Sequence, residues 1–423
     1  MKFTPTLHKL SNGVTVLLDP MDLETVNVRV QFGTGARDET ADESGITHFC
    51  EHMMCRGTPR FPTPKIINDY FDINAGTRNA YSSPQELGFH GRILAENINI
   101  LIDFLGDQIQ NALFLPESID MERSVIADEL RRTLDNPDRQ LRYFIGENVF
   151  NNTLGYKVLG TFENIETFTR EQMLEFLARR LSAKNCIIGI SGKIIDAEKV
   201  LECLERTFNF LPSFDVSKNT NVDYIPTILH NSKPDRNNIQ LRILFPNIWT
   251  PDFDNRFNNF CVAKLESFMR EELYQIIRHE NGLAYGFGLT GHGNEKFELT
   301  GFATQTSAEN IEKCVALIAK NAYKIYTENT ITDDDLDRFN RRNRLGDADW
   351  LESAGQRCDK LIGFYHDYGR VYDFYDTVQL SQSIRRDDVI KNSRGYFDGA
   401  MSIITQGADF NTDLKSVWDE NFK

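Results

Sequence analysis

The segment Gly45-Ile-Thr-His-Phe-Cys-Glu-His-Met-Met-Cys-Arg-Gly-Thr58 concentrates the residue types that do metal chemistry. On a helix, His48 and His52 stand at i and i+4, so both imidazoles leave one face a single turn apart. Two such imidazoles can share one tetrahedral zinc ion at about 2.0–2.1 Å. Glu51 precedes the second histidine and follows the first by three residues. Its carboxylate can therefore reach a water on the metal without being a ligand. This H-x-x-E-H order mirrors the H-E-x-x-H arrangement of zinc hydrolases. The plain alternative is a pair of helical histidines that cap or line a core.

A hydrolytic zinc takes three protein ligands and keeps a position for water, so a third ligand must come from elsewhere. The stretch Glu117-Ser-Ile-Asp-Met-Glu-Arg-Ser-Val-Ile-Ala-Asp-Glu-Leu-Arg-Arg132 carries several carboxylates. Glu122 and Glu129 are seven apart, two turns along one helical face. One can bind metal while the other holds a ligand or the water. Spacing alone does not rank Glu129 above Asp128, and a solvated charged helix accounts for the stretch equally well.

These groups need elements to hold them. Val14–Leu18, after the Ser11-Asn-Gly13 turn signal, and the alternating Val26–Phe32 predict a strand hairpin. Helices are expected over Ser44–Met54, Thr63–Asn74, Leu94–Ala112 and Pro116–Leu134, with a strand over Arg78–Gly91. A helix over Thr169–Leu181, an apolar strand over Asn185–Gly192 and a helix over Ala197–Thr207 follow. The polar, Asn/Ser/Asp/Pro-rich Leu211–Pro234 loses periodicity and reads as a linker. The order then restarts with the strand Ile239–Phe245 and a helix over Arg256–Arg278. A Gly-punctuated strand region, Leu283–Thr306, and helices over Ala308–Glu328, Asp333–Leu345 and Trp350–Tyr368 complete it. Gly286–Gly293 reads as a flexible turn, with His292 a weak candidate for substrate contact. The expected architecture is α+β: two similar domains, each a mostly antiparallel sheet with helices packed on one face. Residues 1–213 would hold the metal, 214–234 link, and 235–423 form the second domain.

The 423 residues are 40% hydrophobic and 26% charged, the composition of a globular chain large enough to bury its own cores. No stretch approaches the roughly 18 apolar residues of a membrane span. The N-terminus lacks the pattern of a signal or transit segment, which points to the cytoplasm and leaves a mitochondrial-type compartment open. A net charge of −15 disfavours nucleic acid and mildly favours basic peptides. Seven cysteines without a CxxC pair suggest free thiols.

The chain resembles the pitrilysin/insulinase-type zinc peptidases, in particular the two-domain branch that includes mitochondrial processing peptidase and bacterial processing-protease homologues. The resemblance runs through Leu10–Val16, Gly45–Thr58, Asn74–Tyr81, the Glu122…Glu129 helix with Asp135-Asn-Pro137, Leu154–Gly160 and Ile277–Tyr285. It implies one zinc per chain held by His48, His52 and Glu129, with Glu51 as general base and Glu122 in support. It also implies that Arg278 and Tyr285 contact substrate and stabilise the oxyanion. Asn79 and Ala80 match an edge strand that adds the substrate peptide as a further strand. Cys50 and Cys55 stand where the family more often has large apolar residues. Packing is the favoured reading for both, since the ligand set is already filled.

The expected activity is zinc-dependent hydrolysis of unstructured peptides or targeting presequences in a chamber closed by two copies, a related subunit being the other possible partner. The alternatives are a non-catalytic scaffold like the core subunits of respiratory complexes and a structural zinc module.

Overall fold

The computed structural model describes residues 4–150, 155, 157–220, 222–248, 255–294, 297–328 and 330–423. Leu154 and Tyr156 of the family-like motif lie outside these. Strands β1 (Thr6–Lys9), β2 (Thr15–Pro20), β3 (Thr25–Phe32), β4 (Thr77–Ser82), β5 (Leu87–Leu94) and β6 (Cys186–Gly192) form one sheet, ordered β1-β2-β6-β3-β5-β4. Only the β2–β6 pair is parallel. Strands β7 (Ile228–Ser232), β8 (Asn238–Ile248), β9 (Phe287–Asn294), β10 (Phe297–Ser307) and β11 (Ser402–Gly407) form the second, ordered β7-β11-β8-β10-β9. There only β7–β11 is parallel.

The expected hairpin between the first two apolar runs does not form. The strand β6 lies between them, pairing Ile188 with Val16 and Ile190 with Val28. The reason is burial on both faces, which the most continuously apolar strand tolerates best. A Cβ on Gly189 would stand 2.7 Å from Ile362 in the helix Ala354–Tyr368. Gly189 pairs with Arg29, which makes an ion pair of 2.7 Å with Asp359 of the same helix. On the opposite face, Gly91 pairs with Val28 and admits Leu101 of α3 (Ile98–Asn111). Helices therefore cover both faces of this sheet, one more face than the sequence pattern suggested.

The compact units are discontinuous. One contains residues 1–136, 152–221 and 348–374; the other contains 137–151, 222–347 and 375–423. This departs from a division at a 214–234 linker for physical reasons. Within that polar stretch Ile228–Ser232 pairs in parallel with β11. The helix Pro137–Val149 belongs to the second unit because Asp138 accepts from Gln240 at 2.6 Å and from Arg242 at 2.8 Å. The helix Ala354–Tyr368 belongs to the first because the Arg357 guanidinium clasps the fully buried Asp19.

Two local readings also change. The run 78–91 is two strands, with Ser83 Oγ accepting from the Gln85 and Glu86 amides to close the turn. Gly286–Gly293 is mostly the edge strand β9, in which His292 pairs with Leu299. The second core packs Ile239, Leu241, Ile243, Phe302, Ile318 and Trp418, among others, between sheet and helices. Among the described residues no helix is long and apolar enough to cross a membrane.

Candidate metal centre

Helix α1 (Ile46–Met54) begins at Gly45, whose φ of +95° is the left-handed conformation glycine adopts freely. A side chain there would also collide with Gly160, whose Cα lies 2.7 Å from the position a Cβ would take. Glycine supplies no capping oxygen, so the chain provides one from upstream. The Glu39 carboxylate accepts from the amides of Gly45 at 2.7 Å and Thr47 at 2.9 Å. Burial nevertheless pushes the Glu39 carboxyl up to about 8. Glu39 thus fixes the start of the helix that carries His48, a role the sequence pattern did not reveal.

Along α1 the His48 and His52 rings stand 4.6 Å apart, centroid to centroid. Helix α4 (Pro116–Asp135), opened by a proline at its first turn, brings Glu122 and Glu129 to the same place. Glu129 Oε2 lies 3.4 Å from His48 Nε2 and 3.7 Å from His52 Nε2. One ligand atom from each of the three residues lies within 4.8 Å of the others. Two ligands of a tetrahedral zinc are separated by about 3.4 Å, so these spacings suit one shared ion. His48 Nε2 is buried and makes no well-formed hydrogen bond; its polar neighbour is Glu129 Oε2 at ion-pair distance, and a shared metal would take the place of its proton there. The donor set, two imidazoles and a carboxylate, is that of hydrolytic zinc sites.

The remaining ring nitrogens are occupied. His52 Nδ1 lies 2.6 Å from Glu122 Oε2, and Arg56 Nε holds the other Glu122 oxygen at 2.8 Å. Glu122 thereby bridges the His52 ring and Arg56, a partner that spacing alone could not identify. His48 Nδ1 has Ser82 Oγ at 3.1 Å and Glu51 Oε2 at 3.3 Å. Asp128 instead pairs with Arg131 at the surface, so the carboxylate that joins the two histidines is that of Glu129. Cys55 Sγ accepts from Gln108 at 3.2 Å, and burial pushes its thiol up to about 12. Cys50 is fully buried, and burial raises its thiol well above the ordinary range. Neither joins the metal cluster.

Burial alone would lower the His48 pKa, but the carboxylates of Glu129 and Glu51 outweigh it and push it up to about 9. Glu129 is held below the usual carboxylate range chiefly by His48. Glu122 is lowered too, because His52 and Arg56 overcome its burial. In the metal-free protein the His48 interaction stabilises the fold fully below the unfolded value of about 6.5. That contribution is lost as pH rises through about 9. Zinc needs the same lone pair, so its apparent dissociation constant is expected to weaken about tenfold per pH unit below that point. Zinc titrations and melts of chelated protein from about pH 6 to about pH 10 check both trends; a pH-independent affinity contradicts them.

Asn79 and Ala80 lie on β4, the edge of the first sheet, paired on one side with His90 and Phe89 of β5. Arg278 and Tyr285 meet each other in the second unit. Arg278 sits on a π-helical turn, Gln275–Glu280, that continues the helix Asn255–Tyr274. Its guanidinium donates to Tyr274 Oη at 2.6 Å and to the Tyr285 carbonyl at 2.7 Å, and stacks on the Tyr285 ring at 4.4 Å. Tyr285 is 84% exposed. His292, half-buried on the edge strand β9, is pushed down to about 3 by desolvation, with Arg142 and Arg242 nearby.

A two-sheet α/β chain with a His–His–Glu cluster and an adjacent carboxylate outside that cluster has the makings of a metal-dependent hydrolase. Residues 15–162 match the model described as Insulinase (Peptidase family M16), and residues 167–342 match Peptidase M16 inactive domain. The chain belongs to this family, and its His–His–Glu cluster falls within the first match, not the one described as inactive. It is 28% identical over 404 residues to an uncharacterized zinc protease of Rickettsia bellii, covering 95% of this chain and 97% of that protein. It is 30% identical over 221 residues to the mitochondrial-processing peptidase subunit beta of Dictyostelium discoideum, covering 52% and 47% respectively. The crystal structure of a protease from Helicobacter pylori has the same fold, with a TM-score of 0.82 at 17% identity, covering 96% of this chain and 100% of that one. These relatives support a peptidase role and a zinc cofactor.

Proposed function

We propose that the chain is a zinc metalloendopeptidase, with one zinc per chain, that hydrolyses unstructured peptides. The observation that carries this reading is the convergence of His48, His52 and Glu129, with the buried Nε2 of His48 facing Glu129 beside a carboxylate, Glu51, that is not needed as a ligand. His48, His52 and Glu129 would hold the ion. Zinc so held supplies Lewis acidity, acidifying water and polarising a carbonyl. Glu51 takes the proton of the attacking water as its oxygen bonds to the peptide carbon. When the carbon–nitrogen bond breaks, Glu51 returns that proton to the leaving amine. The peptide lies extended along β4, its backbone pairing beside Asn79 and Ala80. Assaying unstructured peptides of varied charge, with and without chelator, tests the reading. Cleavage that chelation abolishes and zinc restores is expected, with basic peptides favoured by the −15 charge. Cleavage indifferent to chelation refutes it.

Two copies would complete the site, Arg278 and Tyr285 of each serving the zinc of the other and stabilising the oxyanion. The exposure of Tyr285 and its stacking on Arg278 support a pair prepared for a ligand. Mixing an Arg278→Ala variant with a Glu51→Gln variant should then restore part of the activity, up to about a quarter under random pairing with one intact site. Absence of any rescue counts against a shared site.

A further inference from the structure

Resting on the metallopeptidase reading, we infer that Ser82 is a positioning residue: its hydroxyl accepts the Nδ1–H of His48, turns Nε2 toward the metal, and leaves Glu51 free to act on water. The two ligand imidazoles are supported differently. His52 Nδ1 leans on a carboxylate, Glu122, which Arg56 in turn holds. His48 Nδ1 has only Ser82 Oγ at 3.1 Å and Glu51 Oε2 at 3.3 Å.

That choice of acceptor matters chemically. An imidazole binds metal through one nitrogen when the other carries the proton, and its orienting partner fixes the tautomer. If Glu51 were that partner, its carboxylate would be committed to a ligand when a water proton has to be taken. A hydroxyl has two lone pairs for the same task and adds no charge to the site. Ser82 also closes β4, three residues beyond Asn79, and pairs there with Leu87. The strand that would receive the peptide therefore ends on the atom that orients the first ligand, coupling strand addition to ligand geometry.

The test compares wild type with Ser82→Ala and Ser82→Thr, using zinc as the probe. Zinc affinity is measured by chelator competition, and imidazole nitrogen shifts by NMR. Turnover of an unstructured peptide is followed at saturating zinc. Ser82→Ala is expected to weaken zinc binding about 10- to 100-fold and to lower kcat with little change in KM, while Ser82→Thr restores both. In wild type loaded with zinc, the His48 proton is expected on Nδ1. Zinc affinity and turnover unchanged in Ser82→Ala overturn the inference. So does a proton on Nε2 in wild type, whether or not any variant folds. Failure of wild type itself to bind zinc would instead overturn the metallopeptidase reading.

Discussion

Glu51→Gln is expected to keep its zinc and lose about 10²- to 10⁴-fold in kcat, the range associated with a positioned general base. The substitution preserves shape and removes basicity. The ligand atoms come from His48, His52 and Glu129, so metal content should remain that of wild type. KM should move little, because Glu51 is assigned to the water and not to the peptide backbone. Steady-state kinetics on an unstructured peptide with parallel metal analysis separates these effects. A variant that cleaves at the wild-type rate removes Glu51 from the mechanism. One that loses its zinc would make Glu51 a ligand.

The second large effect concerns Glu129. Its side chain is 39% exposed and makes its contacts to the two histidines, so Glu129→Ala should fold normally. Without the carboxylate the ion has only two protein ligands, too few for a stable hydrolytic site. Activity should fall by roughly 10³-fold or more, corresponding to the several kcal/mol that a Lewis acid contributes. Chelated wild type should recover fully with added zinc, whereas the variant should not. The same change removes one of the two carboxylates that raise His48, so the His48 pKa should fall. Substitution of neighbouring Asp128, turned outward to Arg131, should leave activity unchanged and serves as the control. Recovery of the Glu129 variant by zinc at wild-type affinity would exclude it as a ligand.

What could be read in advance divides along the range of the interactions. His48, Glu51 and His52 are related by one helical turn, so their convergence is local and visible in five residues. Glu122 and Glu129 are likewise tied by helical period, but that α4 faces α1 depends on packing between distant segments. Resemblance to the peptidase family, not periodicity, singled out Glu129. Ser82 and Arg56 carry no local signal because each acts on a residue of a distant segment, and Glu39 carries none because it caps amides six and eight residues ahead, outside the usual capping spacing. The sheet shows the same limit. Val14–Leu18 and Val26–Phe32 each have strand character, yet nothing local says that Cys186–Gly192 will come between them. An edge strand such as Ile228–Ser232, only half-buried, leaves too little hydrophobic alternation to stand out from a linker. The helix Ala354–Tyr368 is amphipathic in any context, and its place on the first sheet is decided by Arg357 and Asp19, 338 residues apart. Tyr285 and Arg278 are legible only as a family pair; the stacking between them appears only in the folded chain.

Crystallography of zinc-loaded protein with anomalous scattering collected at the zinc edge locates the ion directly. A single peak per chain is expected, within about 2.0–2.2 Å of Nε2 of His48, Nε2 of His52 and a Glu129 oxygen. Density bound elsewhere, or none from crystals grown in excess zinc, would contradict the assignment of these three residues and the hydrolysis built on them.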